Sequence, residues 1–102
     1  MARKKTTSDA LKILDEMFFQ SKESQRELRA AESSLQIARQ IFALRIDAGL
    51  TQMELAKLVG TSHSVISRME DDDYEGHSLN LLRRIAEALG MMVEVRFIPL
   101  TN

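Results

Sequence analysis

Four glycines, none before residue 49, constrain the fold of this chain more than any other feature. Gly49, Gly60 and Gly90 each close a stretch whose apolar residues recur at spacings of three and four. A residue that takes positive φ cheaply at such a point is a helix stop. Hydroxyl residues that start helices follow closely: Thr51 after Gly49, Thr61 and Ser62 after Gly60, Ser78 after Gly76. Residues 50–90 therefore divide into three short helices. Thr51-Gln52-Met53-Glu54 reads as a capping box, and Leu50 with Leu55 as the hydrophobic staple that goes with it. Val65, Ile66 and Met69 point inward from the second helix; Leu79, Leu82, Ile85, Ala86 and Leu89 line one face of the third. Met53 and Met69 read as core fillers.

Upstream, Ser8 caps a short helix whose stripe is Ala10, Leu11, Ile13, Leu14, Met17 and Phe18. The polar stretch Gln20–Ser24 interrupts it. Ser24-Gln25-Arg26-Glu27 is a further capping box, after which Leu28, Ala31, Leu35, Ala38 and Phe42 keep helical spacing, widened by Ile37, Ile41 and Leu44. Another capping box, Ser33-Ser34-Leu35-Gln36, lies inside that stretch, so one long helix and two shorter ones both fit. Met1–Thr7 is basic and aperiodic and is expected to be mobile. Arg3-Lys4-Lys5 within it would solubilise the chain or reach phosphates. At the other end, Val93, Val95 and Phe97 alternate with Glu94, Arg96 and Ile98, a strand pattern that Pro99 terminates. Nothing else in the chain has a strand pattern, so its partner is expected to be the same strand of a second copy.

Composition narrows the classes. A chain of 102 residues, 44% hydrophobic and 28% charged, suits one small globular domain with an appended segment. It has no cysteine and only His63 and His77, which argues against disulfides, thiol chemistry and a histidine-rich metal site. No apolar run is long enough to span a membrane, and the basic start leads into Thr6-Thr7-Ser8-Asp9 rather than a signal-peptide core. A soluble cytoplasmic protein is expected. No nucleophile–base pair, phosphate loop or metal spacing is present, and Asp71-Asp72-Asp73-Tyr74-Glu75 lacks a calcium-loop pattern. The reading is a non-enzyme with no cofactor and no metal. The net charge of −1 offers nucleic acid no global attraction. However, residues 35–70 hold Arg39, Arg45, Lys57 and Arg68 against Asp47, Glu54 and Glu70, and the acidic surplus lies beyond them.

Two short helices joined by the tight Gly60-Thr61 turn match a helix-turn-helix, whose second helix enters the major groove. Ala56 is small where the helices cross, and burial of Val65 and Ile66 leaves His63, Ser64, Ser67 and Arg68 on the outer face. An ordinary helical hairpin would show the same periodicity. The run Gly49-Leu-Thr-Gln-Met-Glu-Leu-Ala-Lys-Leu-Val-Gly-Thr-Ser-His-Ser-Val-Ile-Ser-Arg-Met-Glu70, however, resembles the Xre (Cro/cI-type) helix-turn-helix family nearly position by position. Asp73–Leu79 and Val93–Pro99 resemble HigA-like antitoxins of toxin–antitoxin pairs, and Ala10–Leu14 with Leu28-Arg29 fits that subgroup more loosely.

The resemblance implies a mostly α, five-helix, lambda-repressor-like DNA-binding domain over residues 35–90. An N-terminal helical extension, 1–34, precedes it and a dimerising β-strand segment, 91–102, follows. By resemblance Ser62, His63, Ser64 and Arg68 match positions that touch base edges or nearby phosphates, and Gln52 matches a phosphate contact at a helix N-terminus. Lys57, Thr61 and Ser67 complete the expected DNA face. Arg45 and Glu70 match a pair that bridges helices in the family. The family's neutral or basic loop is replaced here by Asp71-Asp72-Asp73. The expected function is autoregulatory repression at a palindromic operator by a homodimer, coupled to neutralising a cognate toxin. The toxin contact is expected at Leu11, Leu14, Phe18 and Leu28; dimer pairing is expected at Val93, Glu94, Val95, Arg96 and Phe97. A plain Xre-type regulator, or an interaction module without DNA binding, are the alternatives.

Overall fold

The computed structural model describes residues 2–100 as four helices: α1 (Ala2–Asp47), α2 (Gln52–Val59), α3 (His63–Met69) and α4 (Leu79–Ala88). Residues 35–90 hold the end of α1 and α2, α3 and α4, four helices rather than the expected five, and α1 also runs unbroken through the expected N-terminal extension. Gln20–Ser24 contains no glycine or proline, and Gln, Ser, Lys and Glu are all tolerated inside a helix, so the polar stretch does not break it. The boxes at Ser24 and Ser33 act only where a helix has already stopped, and it has not. Ala2–Thr7 is likewise helical rather than an aperiodic tail; the side chains of Arg3, Lys4 and Lys5 lie outside the described ones. The chain divides into two compact units, Met1–Ser33 and Ser34–Asn102.

In the first unit, Leu11, Leu14, Phe18 and Leu28 are each more than half exposed. The second unit holds the core. Ile41 of α1, Leu55, Ala56 and Val59 of α2, Ile66 and Met69 of α3, and Ile85 of α4 pack together. Ile37, Leu50, Val65, Tyr74, Leu81, Leu82 and Leu89 complete it from the edges. Leu55, Ile66 and Met69 are the largest fully buried side chains. Each contributes about 1.5–3 kcal/mol by leaving water. Two expectations fail here. Phe42 is exposed and carries the Arg45 guanidinium 5.3 Å over its ring, because the buried face of α1 is Ala38, Ile41 and Arg45. Met53 is also exposed, since the inward face of α2 is Leu55, Ala56 and Val59.

The expected C-terminal strand does not form: residues 91–100 take no regular structure, and no strand occurs among the described residues. A strand is defined by its ladder, and this chain offers Val93–Phe97 no second strand to bond with. Phe97 is 98% exposed and Val95 60%. No helix among the described residues is long and apolar enough to cross a membrane.

Candidate nucleic-acid interface

α2 and α3 meet at a turn whose geometry the sequence dictates closely. The capping box forms: Thr51 Oγ1 accepts from the Glu54 N–H at 3.1 Å, and the Thr51 N–H donates to Glu54 Oε1 at 3.0 Å. Those bonds hold the Glu54 carboxyl below its ordinary range, the backbone N–H of Thr51 contributing most. At the far end, Gly60 sits at φ 79°. Its N–H reaches the Lys57 carbonyl at 3.3 Å, and the Thr61 N–H reaches Ala56 at 2.9 Å. This is a Schellman stop, in which a side chain at Gly60 would be strained. Ser62, not Thr61, caps α3, its Oγ accepting from the Val65 N–H at 3.2 Å.

α3 has only seven residues, so its packing fixes which way it faces. Ile66 and Met69 are buried and Val65 half-buried; His63, Ser64, Ser67 and Arg68 are exposed. Ser62 and Lys57 are exposed as well, and Thr61 is half-buried. The outer surface of α3 thus carries a cation, an imidazole and two hydroxyls, with nothing apolar among them. Such a surface can donate and accept hydrogen bonds along a groove.

Gln52 is placed differently from a freely projecting phosphate contact. Its Nε2 donates to Glu70 Oε1 at 3.2 Å. Glu70, the C-cap of α3, also accepts from Arg45 Nε at 2.7 Å and from Arg45 Nη2 at 2.9 Å. Arg45 Nη1 donates onward to the Leu50 carbonyl at 2.8 Å. The side chains of the pair are only 10% and 4% exposed. Hydrogen bonding to Glu70 raises the Arg45 pKa against the opposing effect of burial, so the guanidinium stays charged. One network therefore joins α1, the α1–α2 turn, the start of α2 and the end of α3.

Three supports of this surface lie outside the helix-turn-helix run of residues 49–70. His77 Nε2 donates to the Met69 carbonyl at 2.8 Å, closing the last turn of α3, and Tyr74 stacks edge-on against that ring at 5.0 Å. Arg84 Nη2 donates to the Val59 carbonyl at 2.9 Å and the Gly60 carbonyl at 3.1 Å. Sequence periodicity marks Arg84 only as a polar position on α4, and the partner lies 25 residues away. Within the acidic loop, Asp71 Oδ1 accepts from the Asp73 N–H at 2.8 Å, and Asp72 lies 3.9 Å from Arg39. Two of the three carboxylates are thereby engaged inside the chain.

A family model described as a helix-turn-helix domain matches residues 36–96, more than half of the chain, and includes α2, α3 and α4. That match fits the Xre-type resemblance of residues 49–70. No curated protein and no solved structure matches the chain.

Proposed function

We propose that this chain, which belongs to the helix-turn-helix domain family, is a sequence-specific DNA-binding repressor and the antitoxin of a toxin–antitoxin pair, autoregulating its own operon in the cytoplasm. The observation that carries the DNA reading is α3 itself: Ile66 and Met69 anchor it while His63, Ser64, Ser67 and Arg68 stand exposed. Arg68 has the planar fork that bonds O6 and N7 of one guanine together. His63, Ser64 and Ser67 are placed on the same surface to read or abut neighbouring bases. The N-terminus of α2, with Gln52 at its first position, and exposed Lys57 supply phosphate contacts independent of sequence. Thr61 and Ser62 add polar groups at the turn.

The antitoxin role rests on the resemblance of Asp73–Leu79 and Val93–Pro99 and on the exposed apolar residues of α1. Leu11, Leu14, Phe18 and Leu28 form the toxin contact, since exposed stripes of this kind mark sites for a partner. The active species is a homodimer on a palindromic operator, with two copies meeting through residues 93–97.

Gel shift and footprinting on the chain's own promoter test the first part. Arg68→Ala is expected to cost about 1–3 kcal/mol and relax specificity at one base step. Lys57→Ala is expected to weaken all duplexes alike and flatten the salt dependence. An unchanged footprint and affinity in Arg68→Ala would reject α3 as the reading surface. Deletion of residues 1–32 is expected to abolish rescue from the toxin and spare DNA binding. Retained rescue moves the toxin contact elsewhere.

A further inference from the structure

We propose that Arg84 is a positioning residue for DNA recognition, fixing from α4 the turn that aims α3. The inference rests on the reading of α3 as the recognition helix and names a determinant outside the motif itself.

The argument begins with backbone groups. The Schellman stop at Gly60 satisfies the Ala56 and Lys57 carbonyls. The carbonyls of Val59 and Gly60 fall just beyond it, in the segment that leads from α2 to Ser62 and α3. Arg84 Nη2 donates to both, at 2.9 and 3.1 Å. A guanidinium in that place also opposes the partial negative charge of the α2 C-terminus. Among the described residues, no other side chain hydrogen-bonds these two carbonyls.

Pinning the turn matters because α3 is short. Its far end is held by Arg45 through Glu70 and by His77 through the Met69 carbonyl. Its near end has the Ser62 cap, which is internal to α3 and fixes nothing beyond it. Val65 and Ile66 pack it onto the core. Among the described residues, Arg84 is the side chain that ties the turn itself by hydrogen bonds to the rest of the unit, through α4, whose Ile85 is buried in the common core. A recognition surface needs its side chains held to within about 0.5 Å of productive geometry. Freed of Arg84, the turn can shift without loss of the core, and His63 and Arg68 would move off their base edges together.

A positioning role and a phosphate contact predict opposite patterns, which makes the inference testable. The full chain and its Arg84→Ala and Arg84→Lys variants are titrated against two duplexes. One is selected from a random library by the wild type; the other is a scrambled duplex of equal length. Arg84→Ala is expected to bind the selected duplex about tenfold more weakly, with affinity for the scrambled duplex and its salt slope unchanged. Arg84→Lys keeps a cationic donor and is expected to regain part of the loss. Equal weakening on both duplexes, with a salt slope lower by about one, would make Arg84 a phosphate contact and overturn the proposal. Unchanged binding of both duplexes by Arg84→Ala would overturn it as well.

Amide hydrogen exchange of the free proteins gives a second reading that needs no DNA. Thr61–Ser64 are expected to exchange faster in Arg84→Ala while Leu55 and Ile85 keep their protection, and Arg84→Lys to lie between. Uniform exchange across all of them would reject the pin. If the wild type selects no duplex, the DNA reading itself falls, and the exchange pattern alone then decides whether the turn is pinned. Should Arg84→Ala not fold, Arg84→Lys is judged by the same two measurements: specific loss with faster turn exchange supports the role, and wild-type values in both reject it.

Discussion

Glu70 is the residue on which the most depends. It closes α3, accepts three hydrogen bonds from two other elements, and does so with a side chain 4% exposed. Burying two charges costs several kcal/mol per ion, and the bidentate geometry with Arg45 offsets that cost only while both partners are present. Glu70→Ala strands the Arg45 guanidinium and is expected to lower stability by about 3–5 kcal/mol. An Arg45→Met/Glu70→Leu double variant, which removes both charges and keeps the volume, is expected to recover most of it. Thermal and urea melts of the three proteins check this; a silent single variant would reduce the pair to a surface contact. The two residues were legible in the sequence as a family-matched pair, because they lie in or beside the motif. Gln52 was legible as a helix start but not as a donor to Glu70. That bond depends on how α2 and α3 cross, a tertiary fact that spacing along the chain does not encode.

At the scale of elements, what the sequence specified well was local. Caps and stops act within five or six residues, so Thr51, Gly60, Ser62 and Ser78 could be read directly, and each does what its type implies. What it specified poorly was whether a possible start is used. Ser24 and Ser33 sit in capping-box sequences yet lie inside α1, because no breaker precedes either of them. Arg84 carries no sequence signal for the opposite reason: it acts on carbonyls of another element and belongs to no pattern. The α2 cap carries a pH signature. Glu54 has its pKa lowered from 4.5, chiefly by the Thr51 backbone N–H and then by the Thr51 hydroxyl. A depressed folded pKa means that its contribution is fully present above the ordinary glutamate value and is lost as pH falls through the lower, folded one. Melts between about pH 6 and about pH 3 are expected to show a smaller acid loss in Glu54→Gln than in the wild type. Parallel curves would remove the cap from the acid response.

At the scale of the whole molecule, the proposed dimer on DNA depends on the segment after α4. The Schellman stop at Gly90, with the Met91 N–H on the Ala86 carbonyl at 2.7 Å, releases the chain into a segment without regular structure. There Val95, Phe97 and Ile98 are all exposed. Alternation puts Val93, Val95 and Phe97 on one side and Glu94 with Arg96 on the other, and within one chain the latter two already pair at 2.9 Å. In the proposed dimer, antiparallel pairing centred on Val95 sets Val93 against Phe97 of the second copy and Glu94 against its Arg96. Each opposite-charge cross-strand pair is worth roughly 0.2–1 kcal/mol, and two-fold symmetry makes it occur twice. The backbone N–H and C=O groups gain the ladder that the single chain denies them. Two recognition helices then face successive major grooves about 34 Å apart, which requires a palindromic operator. Light scattering of the wild type is expected to give twice the 11.6 kDa chain mass. Val95→Pro removes an N–H at the centre of the pairing and fixes φ, and is expected to scatter as a monomer. It should bind a half-site like the wild type but lose the gain in affinity that the full palindrome confers. A monomeric wild type would leave residues 93–97 for pairing with the toxin instead, and an intact Val95→Pro dimer would place the two-fold contact on another surface.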